Sequence, residues 1–294
     1  GPGQHGRGSG LSADAGLGLL TAMAGWRQRP PAPPLDSCVA RLWTSERPAG
    51  LPHAREWNLP TGLVELVVPL DRPALRRFHG ADDGHGHWLA GGVLQGPMLA
   101  PTLRDTASAS VVVGVQFRPG GLPALLGLPA DAMAGRAVAL DDLWPGWADA
   151  LRRRVDAAGA LHDAAARLRC LEQALCAAWP QPATPDPLVA WALPRLQAGA
   201  AVGALQRQAG VSPTTFIRRM RAACGLAPAE LRALQRLQAA LRAGHAGLAW
   251  ADVAADCGYA DQAHLGREFR RLAGHTPGQV RRLGTAWPSH LACA

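Results

Sequence analysis

The spacing of hydrophobic residues divides the chain into two parts. Between residues 36 and 145, alternating and β-branched runs such as Leu63–Val68 and Ser110–Phe117 stand between glycines and prolines, which predicts short β-strands. From Trp147 to Trp179, apolar residues recur every three or four positions, which predicts one or two helices. The pattern therefore predicts a β-rich domain with flanking helices over residues 36–179.

A proline-rich stretch separates this domain from a helical region. Residues 180–187 hold four prolines, a composition typical of a stiff linker. Beyond the linker we predict helices over residues 188–198, 201–209, 213–223, 228–243, 249–256, 261–273 and 278–282. The predicted fold class is α+β, with an all-α domain over residues 188–282 that follows the β-rich domain.

Both ends of the chain are predicted to lie outside these domains. Residues 1–35 begin rich in glycine and end rich in proline, so they lack the apolar side chains that a core needs and are expected to be disordered. Residues 283–294 follow the last predicted helix and are expected to form a frayed tail.

The helical region contains one motif twice. The first copy runs from Gly210 to Pro228 and the second from Gly258 to Pro277, with Phe216 and Leu265 in equivalent positions 49 residues apart. Each copy predicts a helix, a tight turn at a glycine, a second helix and a Gly-x-x-Pro stop. The repeat therefore indicates two helix-turn-helix units, joined by the helix over residues 228–243.

The charge distribution supports a polyanionic partner for the helical region. The chain has no lysine, and its formal net charge of +8 lies entirely in residues 188–294, where 13 arginines stand against 5 acidic residues. A confined positive charge is typical of a nucleic-acid-binding domain. The alternatives are a solvated helical repeat and a scaffold that binds DNA or RNA without sequence preference.

The repeated motif resembles the DNA-binding domain of the AraC/XylS family of bacterial transcription regulators. The resemblance rests on Gly-Val-Ser-Pro-x-x-Phe-x-Arg-x-Met from Gly210, on Asp261-Gln262-Ala263-His264-Leu265-x-Arg267-Glu268-Phe269, and on the two Gly-x-x-Pro stops. It departs from the family at Ile217, where a polar group is usual, and at Gly266, where Ser or Thr is common. The expected DNA contacts are Thr214, Thr215, Ile217, Arg218, Arg221, Gln262, Ala263, His264, Gly266, Arg267 and Arg270.

The first domain is similar to the sensory half of one AraC/XylS branch, through residues 56–66, 114–121 and 138–144. That resemblance supports the order of the domains and not an effector. A small-molecule effector is expected instead because tryptophans cluster between Trp43 and Trp147 and the domain carries no net charge. The candidate effector residues are Trp43, Trp57, Trp88 and Trp144, which could line an aromatic pocket or simply fill the core. The resemblance also implies double-stranded promoter DNA and RNA polymerase as partners, for a monomer or a homodimer in the cytoplasm.

The sequence predicts no enzyme, cofactor, metal or membrane span. The main competing function is a DNA-repair enzyme with a methyl-accepting cysteine, which needs clustered thiolates, whereas the cysteines of the first domain, Cys38, Cys170 and Cys176, form no C-x₂₋₄-C pair. His79, Asp82, Asp83, His85 and His87 could hold a metal, but the interleaved glycines favour a polar loop.

Overall fold

The computed structural model describes residues 25–179, 181 and 183–293. Two antiparallel sheets form the N-terminal part. The first has the strand order β1-β2-β9-β4-β7-β10 and the second the order β11-β3-β8-β5-β6. The strands are β1 Trp26–Arg29, β2 Val39–Arg47, β3 Arg55–Asn58, β4 Glu65–Pro69, β5 Ala74–Phe78, β6 His87–Ala90, β7 Val93–Gln95, β8 Thr102–Asp105, β9 Ser110–Phe117, β10 Ala137–Ala139 and β11 His290–Cys293.

Helices cover one face of the first sheet. They are α1 Gly121–Leu126, α2 Leu140–Leu143, α3 Trp147–Ala157 and α4 Ala164–Ala178. Because side chains alternate along a strand, Val113, Val115 and Phe117 of β9 all point to the same face, where they are buried with Leu151 and Leu171 of the helices. The other face of the first sheet is turned toward the second sheet, and its residues are largely polar.

The C-terminal part is helical, which confirms the predicted α+β fold class. Its helices are α5 Pro187–Gln197, α6 Val202–Gln208, α7 Pro213–Cys224, α8 Pro228–His245, α9 Trp250–Asp256, α10 Gln262–Ala273 and α11 Pro277–Leu283. Phe216, Leu265 and Phe269 are fully buried in one common core. None of the helices in the described residues has the length and apolar character that a membrane span requires.

The structure differs from the expected disorder at the N-terminal end. Residues 1–24 lie outside the described residues, but Trp26–Arg29 of the segment 1–35 pairs with β2 along the edge of the first sheet. The Trp26 ring stacks on Trp43 at 4.7 Å between centroids, and Arg29 forms an ion pair with Glu172 at 2.7 Å. The stacked Trp26 ring and the two hydrogen bonds from Arg29 to the Glu172 carboxylate hold this strand in place, although the segment has few other apolar side chains.

The expected frayed tail is also wrong, because residues 290–293 form strand β11 against β3. Leu291 is 0% exposed and packs into the core of the helical part, together with Leu59 of the N-terminal part. Gln238 of α8 donates to the Pro60 carbonyl at 2.8 Å and accepts from the Ser289 hydroxyl at 2.8 Å. Burial of one leucine and pairing of one strand therefore fix the tail between the two parts.

The connection between the two parts is shorter than the predicted linker 180–187. Helix α5 begins at Pro187 inside it, with the Asp186 carboxylate accepting from the Leu188 backbone N–H at 2.8 Å. Proline at the first helical position needs no hydrogen-bond partner for its nitrogen, so the last linker residue also starts a helix. Pro180 and Pro182 lie outside the described residues.

Candidate nucleic-acid interface and interior cavity

The second helix of each repeat unit begins at a side-chain cap. Ser212 Oγ accepts from the Thr215 backbone N–H at 3.2 Å at the start of α7, and Asp261 Oδ1 accepts from the His264 backbone N–H at 2.6 Å at the start of α10. Each helix ends at a glycine in the left-handed region, Gly225 with φ +76° and Gly274 with φ +67°. We call α7 and α10 the recognition helices.

The recognition helices present most of the predicted DNA contacts to solvent. Exposed side chains are those of Thr214, Arg218, Arg221, Gln262, Ala263, Arg267 and Arg270, whereas Thr215, Ile217, His264 and Gly266 are half-buried. The Thr215 hydroxyl accepts from Ser212, and His264 Nδ1 accepts from the Ala260 N–H at 3.3 Å, so both side chains take part in starting their helices. An added Cβ at Gly266 would meet nothing within 4 Å, so the surface there is open.

The arginines of the two recognition helices differ in whether a carboxylate pairs with them. Arg219 binds the Asp186 carboxylate, and Arg271 lies 3.9 Å from the Glu268 carboxylate. By contrast, within the part of the chain that the structure describes, no carboxylate lies within 4 Å of the guanidinium groups of Arg218, Arg221, Arg267 and Arg270. The four unpaired arginines are those that the sequence pattern assigned to DNA.

A buried ion pair fixes α10 against the connecting helix α8. Glu268 of α10 is 7% exposed and accepts from Arg236 of α8 at 2.9 and 3.2 Å. On the same side of α10, the Phe269 ring meets Trp250 edge to face at 5.4 Å. Removal of one partner from such a pair leaves a buried charge, so this contact holds the helix in one orientation.

The space between the two sheets is a cavity of about 770 Å³ whose wall contains both charged and apolar side chains. One row of inward side chains crosses the first sheet through Arg41, Gln116, Glu65 and Gln95. A second row crosses the second sheet through Ala292, Glu56, Arg104 and Arg77. Arg77 donates to Gln95 Oε1 at 3.1 Å and so links the two rows. Since facing sheets normally enclose apolar side chains, this polar interior is a candidate ligand site.

Burial and neighbouring charges shift several pKa values in the cavity. Burial lowers the pKa of Arg47 and of Arg77 to about 10, and the nearby Arg104 adds to both shifts. Burial alone would raise the pKa of Glu56, but Arg104 and His290 outweigh it and hold that pKa at about 2. Burial raises the pKa of Glu65. At neutral pH the arginines and Glu56 are therefore charged.

The tail contributes to the wall of this cavity. His290 Nδ1 of β11 accepts from the Arg104 guanidinium at 3.1 Å, and Trp287 lies against Trp26 with ring centroids 5.3 Å apart. Burial and the adjacent Arg104 lower the pKa of His290 to about 3, so its ring is neutral at neutral pH. The wall thus contains residues that follow the last helix of the helical part.

The predicted effector tryptophans are divided between the cavity and the cores. Trp43 and Trp88 line the cavity, and the Trp88 side chain is 64% exposed to solvent. Trp57 instead packs against the core of the helical part, and Trp144 meets Trp179 edge to face at 5.1 Å beside the other core. The sequence reasoning missed Trp26 and Trp287, because both lie in end segments for which no structure was expected.

The residues considered for a metal site and for a methyl-accepting cysteine are not arranged for either chemistry. The His79 and His87 rings stack at 4.6 Å, and Asp83 accepts from the backbone N–H groups of His79, His85 and Gly86, as in a polar turn. Within residues 25–179, 181 and 183–293, no three metal-ligand side chains are placed to share an ion. Burial raises the pKa of the Cys224 thiol to about 12 and that of the Cys38 thiol as well, opposite to an activated thiolate.

Comparisons with known proteins agree with the two-part architecture. Residues 205–283 match the family described as "Helix-turn-helix domain", and residues 27–139 match "Domain of unknown function (DUF6597)". No curated protein matches the sequence.

Among solved structures, those of ToxT from Vibrio cholerae are similar. One aligns over 88% of this chain and 98% of its own, with 8% identity and a TM-score of 0.42. An apo ToxT variant from strain SCE256 aligns over 83% and 98%, with 8% identity and a TM-score of 0.45. Unsaturated fatty acid bound wild-type ToxT from that strain aligns over 87% and 93%, with 8% identity and a TM-score of 0.36.

The helix-turn-helix match includes both recognition helices and the helix α8 that connects them. The repeated motif, the two capped helices and the unpaired arginines lie in this matched region, whereas the polar cavity lies mainly in the part of unknown function. The chain therefore contains a helix-turn-helix domain over residues 205–283, with a domain of unknown function over residues 27–139 ahead of it.

Proposed function

We propose that the recognition helices α7 and α10 insert into successive major-groove segments on one face of promoter DNA. The observation that carries this proposal is the pair of unpaired arginines on each helix. Arg218 and Arg267 each follow a buried aromatic or leucine side chain by two positions, and they face solvent near the middle of their helices. Arginine at such a position can donate two hydrogen bonds to a guanine edge.

The connecting helix supports the spacing that this proposal needs. Helix α8 has 18 residues, a length of about 27 Å at ~1.5 Å per residue. Successive major-groove segments on one face of a duplex lie about 34 Å apart. The Glu268–Arg236 ion pair fixes α10 on α8, so the separation of the two recognition helices is set by packed side chains.

We expect Arg218→Ala or Arg267→Ala to weaken binding to the selected operator by about 1–3 kcal/mol and to relax preference at one sub-site. Arg270 lies near the end of α10, where a phosphate contact is expected. Arg270→Ala should therefore weaken binding to all DNA sequences alike, and it should reduce by about one the slope of the logarithm of the binding constant against the logarithm of the salt concentration. Competition binding against random DNA at several salt concentrations measures both effects.

The control is Arg153→Ala, an exposed arginine on α3 that removes the same charge far from the recognition helices. It should leave both operator affinity and specificity unchanged. If Arg267→Ala weakens random DNA as much as the operator, the assigned contact face is wrong. The protein is then better explained as a scaffold without sequence preference.

We also propose that DNA binding responds to a small-molecule effector held in the cavity between the sheets. Its support is a polar cavity of about 770 Å³ whose wall includes residues of both parts of the chain. A metabolite screen that follows quenching of tryptophan emission should give a saturable ligand, because Trp26, Trp43 and Trp287 line the cavity. The same ligand should change operator affinity. A broad screen without any saturable ligand would contradict the effector role.

A further inference from the structure

The cavity holds more positive charge than its own carboxylates compensate. Arg104 is paired with Glu56, but Arg41, Arg47 and Arg77 have no carboxylate within 4 Å among the residues that the structure describes. Their hydrogen bonds go to neutral groups, the Gln28 amide, the Ser108 carbonyl and the Gln95 amide. The three arginines are half-buried, and cations held partly away from water without a paired anion are unfavourable unless something else supplies negative charge.

One carboxyl group, that of Glu65, lies near these arginines without pairing with any of them. Glu65 accepts from the Gln116 amide at 2.9 Å, and burial raises its pKa toward the neutral form. The unpaired side of the cavity therefore consists of three guanidinium groups and one carboxyl group, so at least two positive charges are uncompensated even when Glu65 is ionised. The missing partner is an anion.

Three donor atoms of residues in the cavity wall are buried beneath its surface, and their side chains are packed tightly in place. The indole nitrogens of Trp26 and Trp43 and Nε of Arg47 are buried without a hydrogen-bond partner, and all three are donors. Trp43 is 8% exposed. An added Cβ at Gly114 would lie 2.2 Å from the Trp43 ring, so only glycine lets this indole lie flat on the strand beside the cavity.

We infer that the cavity binds an organic anion, a carboxylate, sulfonate or phosphate joined to a flat apolar group. The acidic group contacts Arg47 and Arg77, and the flat group lies against the stacked pair Trp26 and Trp43 and against Trp287. This inference rests on the proposed effector role, to which it adds the chemical class of the ligand. Because Trp287 belongs to the tail, the anion contacts the segment that directly follows the last helix of the DNA-binding part.

The probe is 8-anilinonaphthalene-1-sulfonate, compared with N-phenyl-1-naphthylamine, which has the same rings without the sulfonate. The full chain should bind the sulfonate saturably with a blue-shifted emission, at least tenfold more tightly than the neutral compound. Benzenesulfonate should displace it and benzenesulfonamide should not. These two comparisons use the unaltered protein, so they do not depend on any variant folding correctly.

Variants then locate the site. Arg47→Gln with Arg77→Gln should lower the affinity for the sulfonate at least tenfold and leave the neutral compound unchanged, and Trp287→Ala should lower both. Arg153→Gln, an exposed arginine on α3, should change neither. Equal affinities for the charged and neutral compounds, or sulfonate binding that survives the double substitution, would overturn the inference.

Operator affinity is measured separately with the sulfonate at saturation. A change in operator affinity supports both the ligand class and the effector role. Arginine-dependent binding of the sulfonate with unchanged operator affinity supports the ligand class and contradicts the effector role. Absence of arginine-dependent binding contradicts the ligand class, whatever the metabolite screen finds.

Discussion

Phe269→Ala should lower the free energy of unfolding by about 3–5 kcal/mol, because a fully buried phenyl ring is lost and a cavity is left behind. Phe269 is 0% exposed and meets Trp250 edge to face, next to the Glu268–Arg236 ion pair that holds α10 on α8. Loss of the ring should therefore loosen the second recognition helix as well. Urea unfolding followed by circular dichroism gives the stability change, and operator binding gives the effect on α10.

The matched control for this substitution is Leu248→Ala, since Leu248 is 45% exposed and lies just ahead of the same helix-turn-helix unit. We expect it to change stability by less than about 0.5 kcal/mol. Phe216→Ala, in the equivalent position of the first unit, should cost as much as Phe269→Ala, because Phe216 is also 0% exposed. A cost below 1 kcal/mol for either phenylalanine would show that the unit is not packed as described.

The helical part was predictable from the sequence because its elements are determined locally. Helical apolar spacing located helix α7, predicted over 213–223 and observed over Pro213–Cys224, and helix α10, predicted over 261–273 and observed over Gln262–Ala273. Ser212 and Asp261 both cap their helices through their own side chains. Capping groups, glycine stops and apolar spacing all act within a few residues of chain, so a single sequence contains them.

The cavity was not predictable because its residues become neighbours only through strand pairing. Arg41, Glu65 and Gln95 come from three separated segments and meet across the register of the first sheet. A polar residue on one face of a strand normally indicates a solvent-facing surface, so the alternation itself gave no sign that this face is enclosed. The glutamate and the arginines on these strands are the sequence signal that could have suggested an enclosed cavity with charged walls.

The two end segments show the same limit. Composition predicted that residues 1–35 and 283–294 lack regular structure, yet each contributes an edge strand of a sheet. An edge strand of four residues needs only backbone hydrogen bonds and one or two anchoring side chains. The average composition of a segment does not reveal so few residues. Trp26 and Leu291 are those anchors, and both make their contacts with residues far away in the sequence.

Leu291→Ala should lower the free energy of unfolding by about 2–5 kcal/mol, the range for a fully buried leucine. Leu291 is 0% exposed in the core of the helical part, while its neighbours on β11 pair with β3 and line the cavity. The substitution should therefore also release β11, which chemical denaturation and hydrogen exchange of the Leu291 and Ala292 amides can measure together.

Leu291→Met is the matched control, since it conserves volume and should cost less than about 1.5 kcal/mol. If Leu291→Ala costs less than about 0.5 kcal/mol, the value typical of surface positions, the tail is detached in solution. A detached tail would remove Trp287 and His290 from the cavity wall. A cost in the expected range means instead that the cavity wall includes a segment anchored in the core of the helical part, which gives the cavity a direct physical connection to the recognition helices.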